Sequence, residues 1–416
     1  MYKAQWILLS CFIFIFFANK ISAQWVQCNS FGGKFILRFA NIPDGTGGSH
    51  FFIGTQDSGV FVSTNSGANW SAAGLKYYTI ESFAVSGNRI YTGTYGNSDG
   101  LFMSSNYGAN WVNVSAGLPA YPIVKAMAVS GTNIFASEEG SVYLSTNYGT
   151  FWNSVSTGLP NNITIIKLIV VGTNIFAATG NKGVFLSSNN GASWVGVNNG
   201  LPFANGIVTM TAVGSNLIAG IHSLGAYLST DNGTSWNVVN TGLTYDAANG
   251  IYDLITFGTK VFAATGNGVF LTTNNGTLWI PANTGLEYST IAVGICGTTL
   301  FASTLYQELF NRPISEMTSI KERNISGYPA GYVLEQNYPN PFNPSTNIGF
   351  YIPKQSFVSL RIYNSIGQEV SKLISQKMEP GDYSVDWNAS EFPSGIYYYR
   401  ISSGDFVETK KLCLLK

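Results

Sequence analysis

The feature that most constrains this chain is an eight-residue phrase that recurs six times at a nearly constant interval. The copies read STNSGANW, SSNYGANW, STNYGTFW, SSNNGASW, STDNGTSW and TTNNGTLW. Their tryptophans are 41, 41, 42, 42 and 43 residues apart. A repeat of about 40–45 residues that holds several short strands is typical of a β-propeller.

Each repeat divides into four strand-like runs, and the phrase forms the turn between the third and the fourth. We expect the Asn or Asp side chain to accept hydrogen bonds from nearby backbone N–H groups, because Asx turns are built in this way. We expect Gly to adopt a positive φ and Trp to be buried over the hairpin. The residues with this structural role are Asn65, Gly67, Trp70, Asn106, Gly108, Trp111, Asn147, Gly149, Trp152, Asn189, Gly191, Trp194, Asp231, Gly233, Trp236, Asn274, Gly276 and Trp279.

A seventh unit is incomplete in the sequence. Residues 289–314 supply three further strands without the phrase, and the run that begins at Trp25 has the pattern of a fourth strand, 45 residues before Trp70. Pairing the two segments would remove an exposed sheet edge. The sequence therefore predicts a seven-bladed β-propeller over residues 24–314, closed by the N-terminal strand.

Composition supports an all-β fold and excludes one class of partner. Only 10% of residues are charged, against about 25% in an average domain. The chain is rich in Gly (46), Tyr (23) and Phe (27), which favours short aromatic strands joined by tight turns. The net charge is zero and no basic block occurs, so the sequence argues against nucleic-acid binding.

The first residues predict export. Lys3 precedes an apolar run from Trp6 to Ala18, and small residues precede a cleavage point after Ala23, so residues 1–23 are interpreted as a signal peptide. No later segment is apolar for long enough to span a membrane. The remaining cysteines, Cys28, Cys296 and Cys413, are too widely spaced for a disulfide framework or a metal cluster, and we expect no cofactor.

A second domain is predicted after the propeller. Residues 315–334 lose the repeat and gain charge, which indicates a linker. Residues 335–416 alternate strands with Gly and Asn turns, which predicts a small Ig-like β-sandwich.

The repeated phrase resembles the Asp-box, or BNR, repeat of sialidase-like propellers. Five of the six copies have Asn where that motif prefers Asp, and only Asp231 keeps the acid. Asn keeps the hydrogen-bond acceptor, so the turn survives, but a Ca²⁺ site would need several carboxylate oxygens. Photosystem-assembly and sortilin-type propellers share such repeats.

Residues 335–416 resemble the type A C-terminal sorting domain of the type IX, or Por, secretion system. The resemblance rests on YPNPFNPST at residues 338–346, Ile362-Tyr363, Trp387-Asn-Ala, Ser394-Gly-Ile-Tyr and the run from Gly404 to Lys416. It implies passage across both membranes of a Gram-negative bacterium of the Bacteroidetes group or a near relative, with residues 335–416 engaging the secretion machinery. The alternative is a generic Ig-like module that binds a sugar or a partner.

Catalytic constellations are mostly missing. A sialidase needs three converging arginines, and Arg38, Arg89 and Arg312 are predicted to lie too far apart for this. Glycosidases use paired carboxylates across a cleft, and the adjacent Glu138 and Glu139 would point to opposite faces of a strand. The other acids near strand ends are Glu81, Asp246, Asp253 and Glu287, and His50 and His222 lie in no cluster.

Alignment of the first strands places Glu81, Lys125, Lys167 and Asp253 in equivalent positions around the central channel. This ring is either a solvated, mutually neutralising layer or a polar mouth that binds a glycan or peptide. Two functions stay open: a secreted, non-catalytic propeller that binds a polymer or protein at the cell surface, and an extracellular glycan hydrolase or lyase.

Overall fold

The computed structural model describes residues 24–317 and 332–415, apart from residues 46, 96–99, 203–205, 244–249, 284, 287, 379–380 and 405. The predicted signal peptide, 1–23, and most of the predicted linker, 315–334, lie outside the described residues. The chain divides into two compact units, within residues 1–319 and 320–416. Each unit is described by itself.

The first unit consists of four-stranded antiparallel sheets that follow one another along the chain. In each sheet the first strand of the repeat is at one edge and the short fourth strand at the other. The first three sheets are β2 (Ile36–Pro43), β3 (Ser49–Thr55), β4 (Val60–Ser63), β5 (Ser71–Ala72); β6 (Thr79–Ser86), β7 (Arg89–Tyr95), β8 (Leu101–Ser104), β9 (Val112–Asn113); and β10 (Met127–Ser130), β11 (Asn133–Glu138), β12 (Ser141–Ser145), β13 (Asn153–Ser154). The next three are β14 (Ile165–Val171), β15 (Asn174–Thr179), β16 (Gly183–Ser187), β17 (Val195–Gly196); β18 (Ile207–Val213), β19 (Asn216–Ile221), β20 (Gly225–Ser229), β21 (Asn237–Val238); and β22 (Ile251–Phe257), β23 (Lys260–Thr265), β24 (Gly268–Thr272), β25 (Ile280–Pro281).

The seventh sheet joins two distant parts of the chain. Strands β26 (Thr290–Cys296), β27 (Thr299–Thr304) and β28 (Glu308–Pro313) are completed by β1 (Val26–Gly32), which pairs antiparallel with β28. A helical turn, α1 (Ile314–Met317), follows β28. Both Cys28 and Cys296 are buried free thiols in this sheet, on its outermost and innermost strands.

The sheets form a closed ring around a channel. The first strand of every sheet contacts the first strand of the next, and β26 contacts β2. A separate apolar cluster lies between each pair of neighbouring sheets. One of them joins Phe51 and Ile53 of the first sheet to Phe301 and Leu309 of the seventh. The all-β fold class predicted from the sequence, with a propeller followed by a smaller β domain, is confirmed.

The repeated turns share one hydrogen-bond network. The Ser or Thr hydroxyl that ends the third strand donates to the Asn or Asp Oδ1 at 2.8–2.9 Å and accepts from the Gly N–H at 2.8–3.0 Å. The same Oδ1 accepts from the N–H of the residue before Trp at 2.9–3.0 Å. One acceptor oxygen therefore holds both ends of each turn.

The turn contains two left-handed residues, whereas the sequence reasoning assigned one. Besides Gly, with φ of 83–85°, the residue before it has φ of 55–58° in all six copies. Asn, which tolerates this conformation, occupies the position in three copies, as Asn190, Asn232 and Asn275. Ser66, Tyr107 and Tyr148 occupy it in the others, so it could not be recognised from residue type.

Each tryptophan also reaches the preceding sheet. The indole Nε1 of Trp111 donates to Ala73 O at 2.6 Å, and that of Trp236 to Val197 O at 2.9 Å. Trp152, Trp194 and Trp279 make the same bond at 2.7–2.9 Å. Trp25, on the segment that enters β1, donates to Ala282 O at 2.6 Å. The acceptor always lies three residues after the tryptophan of the preceding repeat.

Trp70 is the exception. By the same spacing its acceptor would be the carbonyl of Cys28, but the pairing of β1 with β28 shifts register between Gln27 and Gly32. The Trp70 Nε1 is buried without a hydrogen-bond partner among the described residues. The ring packs against Phe31, Phe51 and Phe301, at centroid distances of 5.5–6.5 Å.

The second unit is a sandwich of two sheets. One sheet has the order β29 (Val333–Leu334), β30 (Ser345–Ile352), β33 (Gly381–Asn388), and the other β32 (Glu369–Met378), β31 (Ser356–Asn364), β34 (Gly395–Ser403), β35 (Phe406–Leu414). Alternate side chains of β31 and β34 are buried. They form one apolar cluster with Ile348, Phe350 and Trp387 from the facing sheet.

We predict that Trp111→Phe destabilises the propeller more than Trp70→Phe. Both tryptophans are half-buried, but only Trp111 loses an inter-sheet hydrogen bond and leaves the Ala73 carbonyl without its donor. The additional loss in the free energy of unfolding should be about 1–2 kcal/mol, measured by chemical denaturation. Equal losses for the two variants would show that the indole N–H groups contribute nothing to blade cohesion.

Candidate functional site

The best-formed cavity of the propeller lies in the channel, at the end where the first strands begin. It has a volume of about 200 Å³ and is lined by residues of all seven first-strand segments. Its charged side chains are Arg38, Lys125, Lys167 and Asp253. We call this cavity the channel mouth, and the end of the propeller that surrounds it the mouth face.

The register corrects the sequence alignment at two positions. Lys167, Thr209 and Asp253 each follow a bulge and pair with the same position of the second strand, at Ala178, Gly220 and Ala264. The residue that takes this place in β6 is Ser82, which pairs with Gly93. In the third sheet the strand register places Ala126 there, one residue before Met127, which pairs with Ala136.

Glu81 and Lys125 thus lie one residue before the strand position that Lys167 and Asp253 occupy. Their two side chains differ in location. Lys125 still lines the channel mouth and is exposed, whereas Glu81 is half-buried and is not part of the lining. The alignment failed because it matched hydrophobic letters rather than the glycine of the turn that follows each first strand. Lys167 lies five residues before that glycine, whereas Glu81 and Lys125 lie six residues before it.

Asp253 connects the first strands of four sheets. Its Oδ1 accepts from the Leu254 N–H at 3.0 Å and from Thr209 Oγ1 at 3.4 Å, and lies 3.8 Å from the Nζ of Lys167. Its Oδ2 accepts from the Val293 N–H of the neighbouring sheet at 3.2 Å. This carboxylate is therefore occupied by structural contacts on both oxygens.

The sequence reasoning missed Arg38 as a residue of the channel mouth. Its Nε donates to Glu81 O, and Nη1 donates to Leu37 O, both at 2.7 Å. These backbone acceptors orient the guanidinium across two neighbouring sheets without neutralising its charge. Arg38 could have been found by recognising Ile36–Pro43 as a first strand, but the long turn after Pro43 hides the hairpin signal.

The candidate catalytic acids do not form a pair. Glu138 is buried, with 4% of its surface exposed, and its neighbour Glu139 is exposed at a turn. Burial raises the pKa of the Glu138 carboxyl, repulsion by Glu139 raises it further, and a hydrogen bond from the backbone of Ile123 opposes the shift. Asp246 and Glu287 lie outside the described residues.

The arginines and histidines are also dispersed. Arg89, the first residue of β7, stacks on the Tyr148 ring, 4.4 Å from its centroid. Arg312 is buried, 3% exposed, and donates to Ala282 O at 3.3 Å and Glu316 O at 3.4 Å. His50 stacks on Tyr107, and His222 bonds with Ser223 through Nδ1. Among the described residues, no group of three or more His, Cys, Asp or Glu could hold a metal ion.

A larger hollow, of about 540 Å³, lies on the outer face of the second unit. It is a shallow surface on β31, β34 and β35, and its two arginines already have partners. Arg361 pairs with Glu369 at 2.6 Å, and Arg400 lies over the Tyr363 ring. We therefore take the channel mouth as the candidate site.

In the second unit, the YPNPFNPST segment is attached to the last strand. Asn340 Oδ1 accepts from Cys413 N at 2.9 Å, and Phe342 N donates to Cys413 O at 3.0 Å. Just before the segment, buried Asn337 donates through Nδ2 to Thr346 Oγ1 at 2.9 Å. The widely separated motifs of residues 335–416 thus form one packed structure.

Each of the two units contains a segment that matches the model of a known family. Residues 336–415 match the model of the secretion system C-terminal sorting domain. Residues 78–218 match the model of the DUF6242 beta propeller domain. A search of curated proteins gave no match.

Solved structures show the same fold at low identity. YCF48 from Cyanidioschyzon merolae is 15% identical, with a TM-score of 0.55, over 70% of this chain and 99% of that one. The extracellular domain of BT4673 from B. thetaiotaomicron is 15% identical, with a TM-score of 0.56, over 79% and 45%. The GH74 enzyme of Niastella koreensis is 20% identical, with a TM-score of 0.51, over 69% and 44%. This chain therefore spans less than half of the latter two.

A propeller together with a type IX sorting domain implies a protein secreted to the cell surface or the extracellular space. The sorting domain implies engagement with the type IX secretion machinery. In the described part of the chain, no helix combines the length and the apolarity needed to cross a bilayer.

We predict that Asp253→Ala destabilises the propeller whereas Lys125→Ala does not. The first change removes the acceptor of backbone and side-chain donors from three sheets, at a cost of about 1–3 kcal/mol in the free energy of unfolding. The second removes an exposed cation without an ion pair to any described residue, so its effect should stay within about 0.5 kcal/mol. Chemical denaturation of both variants tests this. An Asp253→Ala variant with an unchanged free energy of unfolding would contradict the structural role of Asp253.

We predict a pH-dependent gain in stability for Glu138→Gln. Because the carboxyl has a higher pKa in the folded protein than in the unfolded chain, its ionisation destabilises the fold as pH rises. The variant should be more stable than the wild type at pH 7, and the difference should vanish below about pH 4, where both states bind the proton. Exposed Glu139→Gln is the matched control and should show a smaller difference. A pH-independent effect of Glu138→Gln would exclude this linkage.

Proposed function

We propose that this protein is a non-catalytic binding protein of the cell surface, whose propeller holds an extracellular glycan or protein ligand at the channel mouth. We further assign the repeats to the Asp-box (BNR) type with seven blades, residues 1–23 to a signal peptide, and the host to a Bacteroidetes-like bacterium. The proposed boundaries are 24–314 for the propeller, 315–334 for the linker and 335–416 for the sorting domain.

One observation supports binding over catalysis more than any other: the only acid that lines the channel mouth is already occupied. Both oxygens of Asp253 accept backbone N–H groups, and Lys167 and Thr209 also approach it. A general acid or nucleophile needs an oxygen that can face the substrate, and glycosidases need a second carboxyl across the cleft. The described lining offers neither.

The mouth nevertheless has the features of a recognition site. It is concave, its lining combines cations with apolar residues such as Phe39 and Met127, and it is held by first strands rather than by long loops. Lys125, Lys167 and Asp253 are the predicted binding residues that line it; Glu81 supports it through its backbone carbonyl.

We predict that the purified protein binds members of a glycan panel without releasing reducing sugar. Binding should weaken in the Lys125→Ala/Lys167→Ala double variant and persist in Glu81→Gln, the control at the position outside the lining. A glycan array with parallel reducing-sugar assays on the same polysaccharides is the measurement. Sugar release by the wild type that the Glu138→Gln or Asp253→Asn variant abolishes would overturn the proposal in favour of a glycoside hydrolase or lyase.

A further inference from the structure

We infer that the ligand of the channel mouth is an anionic polysaccharide, whose sugar units bear carboxylate groups as uronic acids do. The inference rests on the proposed function and narrows its ligand class. It depends on two independent observations, the charge of the mouth and the distribution of tyrosines over the mouth face.

The wall of the mouth has an excess of positive charge. Three cations, Arg38, Lys125 and Lys167, line it together with one carboxylate, Asp253. The second acid expected from the sequence, Glu81, does not belong to the lining. Asp253 can neutralise at most one cation, and Lys167 is the one that lies 3.8 Å away. Arg38 and Lys125 therefore face the cavity with no ion pair among the described residues.

Arg38 is also oriented in advance. Its guanidinium is held by Glu81 O and Leu37 O through Nε and Nη1, so less conformational entropy is lost when the remaining N–H groups bind a ligand. Guanidinium groups match carboxylates in planar, two-point geometry. Lys125 and Lys167 add point charges from the third and fourth sheets. Such an arrangement favours a carboxylate over a neutral hydroxyl group.

The exposed tyrosines are concentrated at the same end of the propeller. Strands alternate in direction, so the segments that enter first strands and the turns between second and third strands share the mouth face. Six tyrosines with 41–74% of their surface exposed lie in these positions: Tyr77, Tyr95, Tyr121, Tyr252, Tyr288 and Tyr306. Among the described residues, the opposite face has two aromatic side chains of comparable exposure, Tyr148 and Phe151.

This distribution favours a polysaccharide over an acidic peptide. Tyrosine offers an apolar ring and a hydroxyl at one surface, which suits the C–H faces and hydroxyl groups of sugar rings. The cavity of about 200 Å³ is smaller than usual small-molecule sites of about 300–1,000 Å³. It therefore accepts one charged unit, while the tyrosines contact further units of a polymer that lies across the face.

The test compares ligands that differ from one anionic polysaccharide either in charge or in backbone. Polygalacturonate, its methyl ester and poly-glutamate are titrated against the full mature protein by calorimetry, at low salt and at about 0.5 M NaCl. We expect binding of polygalacturonate that weakens with salt, and at least about tenfold weaker binding of the neutral ester. Arg38→Gln/Lys125→Gln should lose about tenfold in affinity, and the exposed Lys182→Gln, on the same face but outside the lining, less than twofold.

Lys125→Gln alone keeps the test decisive if the double variant unfolds, because its side chain makes no ion pair with a described residue. Equal binding of the ester, unchanged binding by both mouth variants, or binding of poly-glutamate alone would overturn the inference. So would the absence of binding to all three polymers. In each case, binding of a neutral glycan that Lys125→Ala/Lys167→Ala weakens, without sugar release, would leave the proposed function standing.

Discussion

The structure depends most on the bond from an indole N–H to a backbone carbonyl of the sheet before it, which joins every pair of neighbouring sheets except the seventh and the first. A four-stranded sheet of about 40 residues cannot bury both of its faces by itself, so it is stable only against neighbours. The tryptophan of the repeated turn fixes that neighbour at one point, and the apolar clusters between sheets form around it. Because the acceptor lies three residues after the preceding tryptophan, each sheet positions the next by the same geometry.

Much of the propeller could be predicted because its determinants are local. The interval between tryptophans gave the size of one sheet, and the Asn, Gly and hydroxyl residues of the phrase gave the turn. The second left-handed residue could not be predicted, since Tyr107 and Tyr148 adopt it under constraint from the same hydrogen bonds that hold Asn190 there. The reach of tryptophan to the preceding sheet, rather than only over its own hairpin, is a tertiary contact that no pattern within one repeat contains.

The candidate site was predicted less well, for a physical reason. The position that lines the channel lies at a fixed distance from the turn after each first strand, and a match of hydrophobic letters alone does not fix that distance. Glu81 was therefore placed in the lining, and Arg38 was overlooked. The error changed the chemistry inferred for the site, from a balanced ring of charges to an excess of cations. In the sorting unit, by contrast, the motifs are long and ordered in sequence, and the segment around Asn337 and Asn340 explains them through contacts with the last strand.

The pairing of β1 with β28 has a consequence for the order of events during biosynthesis. Val26 lies opposite Asn311, so a segment that is made first finds its partner only after the intervening six sheets have been made. Until β28 has been made, β1 has no partner strand and the ring of sheets is open. Completion is a late, long-range event of the kind that slows folding through loop-closure entropy. Closure of the propeller therefore cannot begin before β28 has been synthesised, whatever the order in which the intervening sheets form.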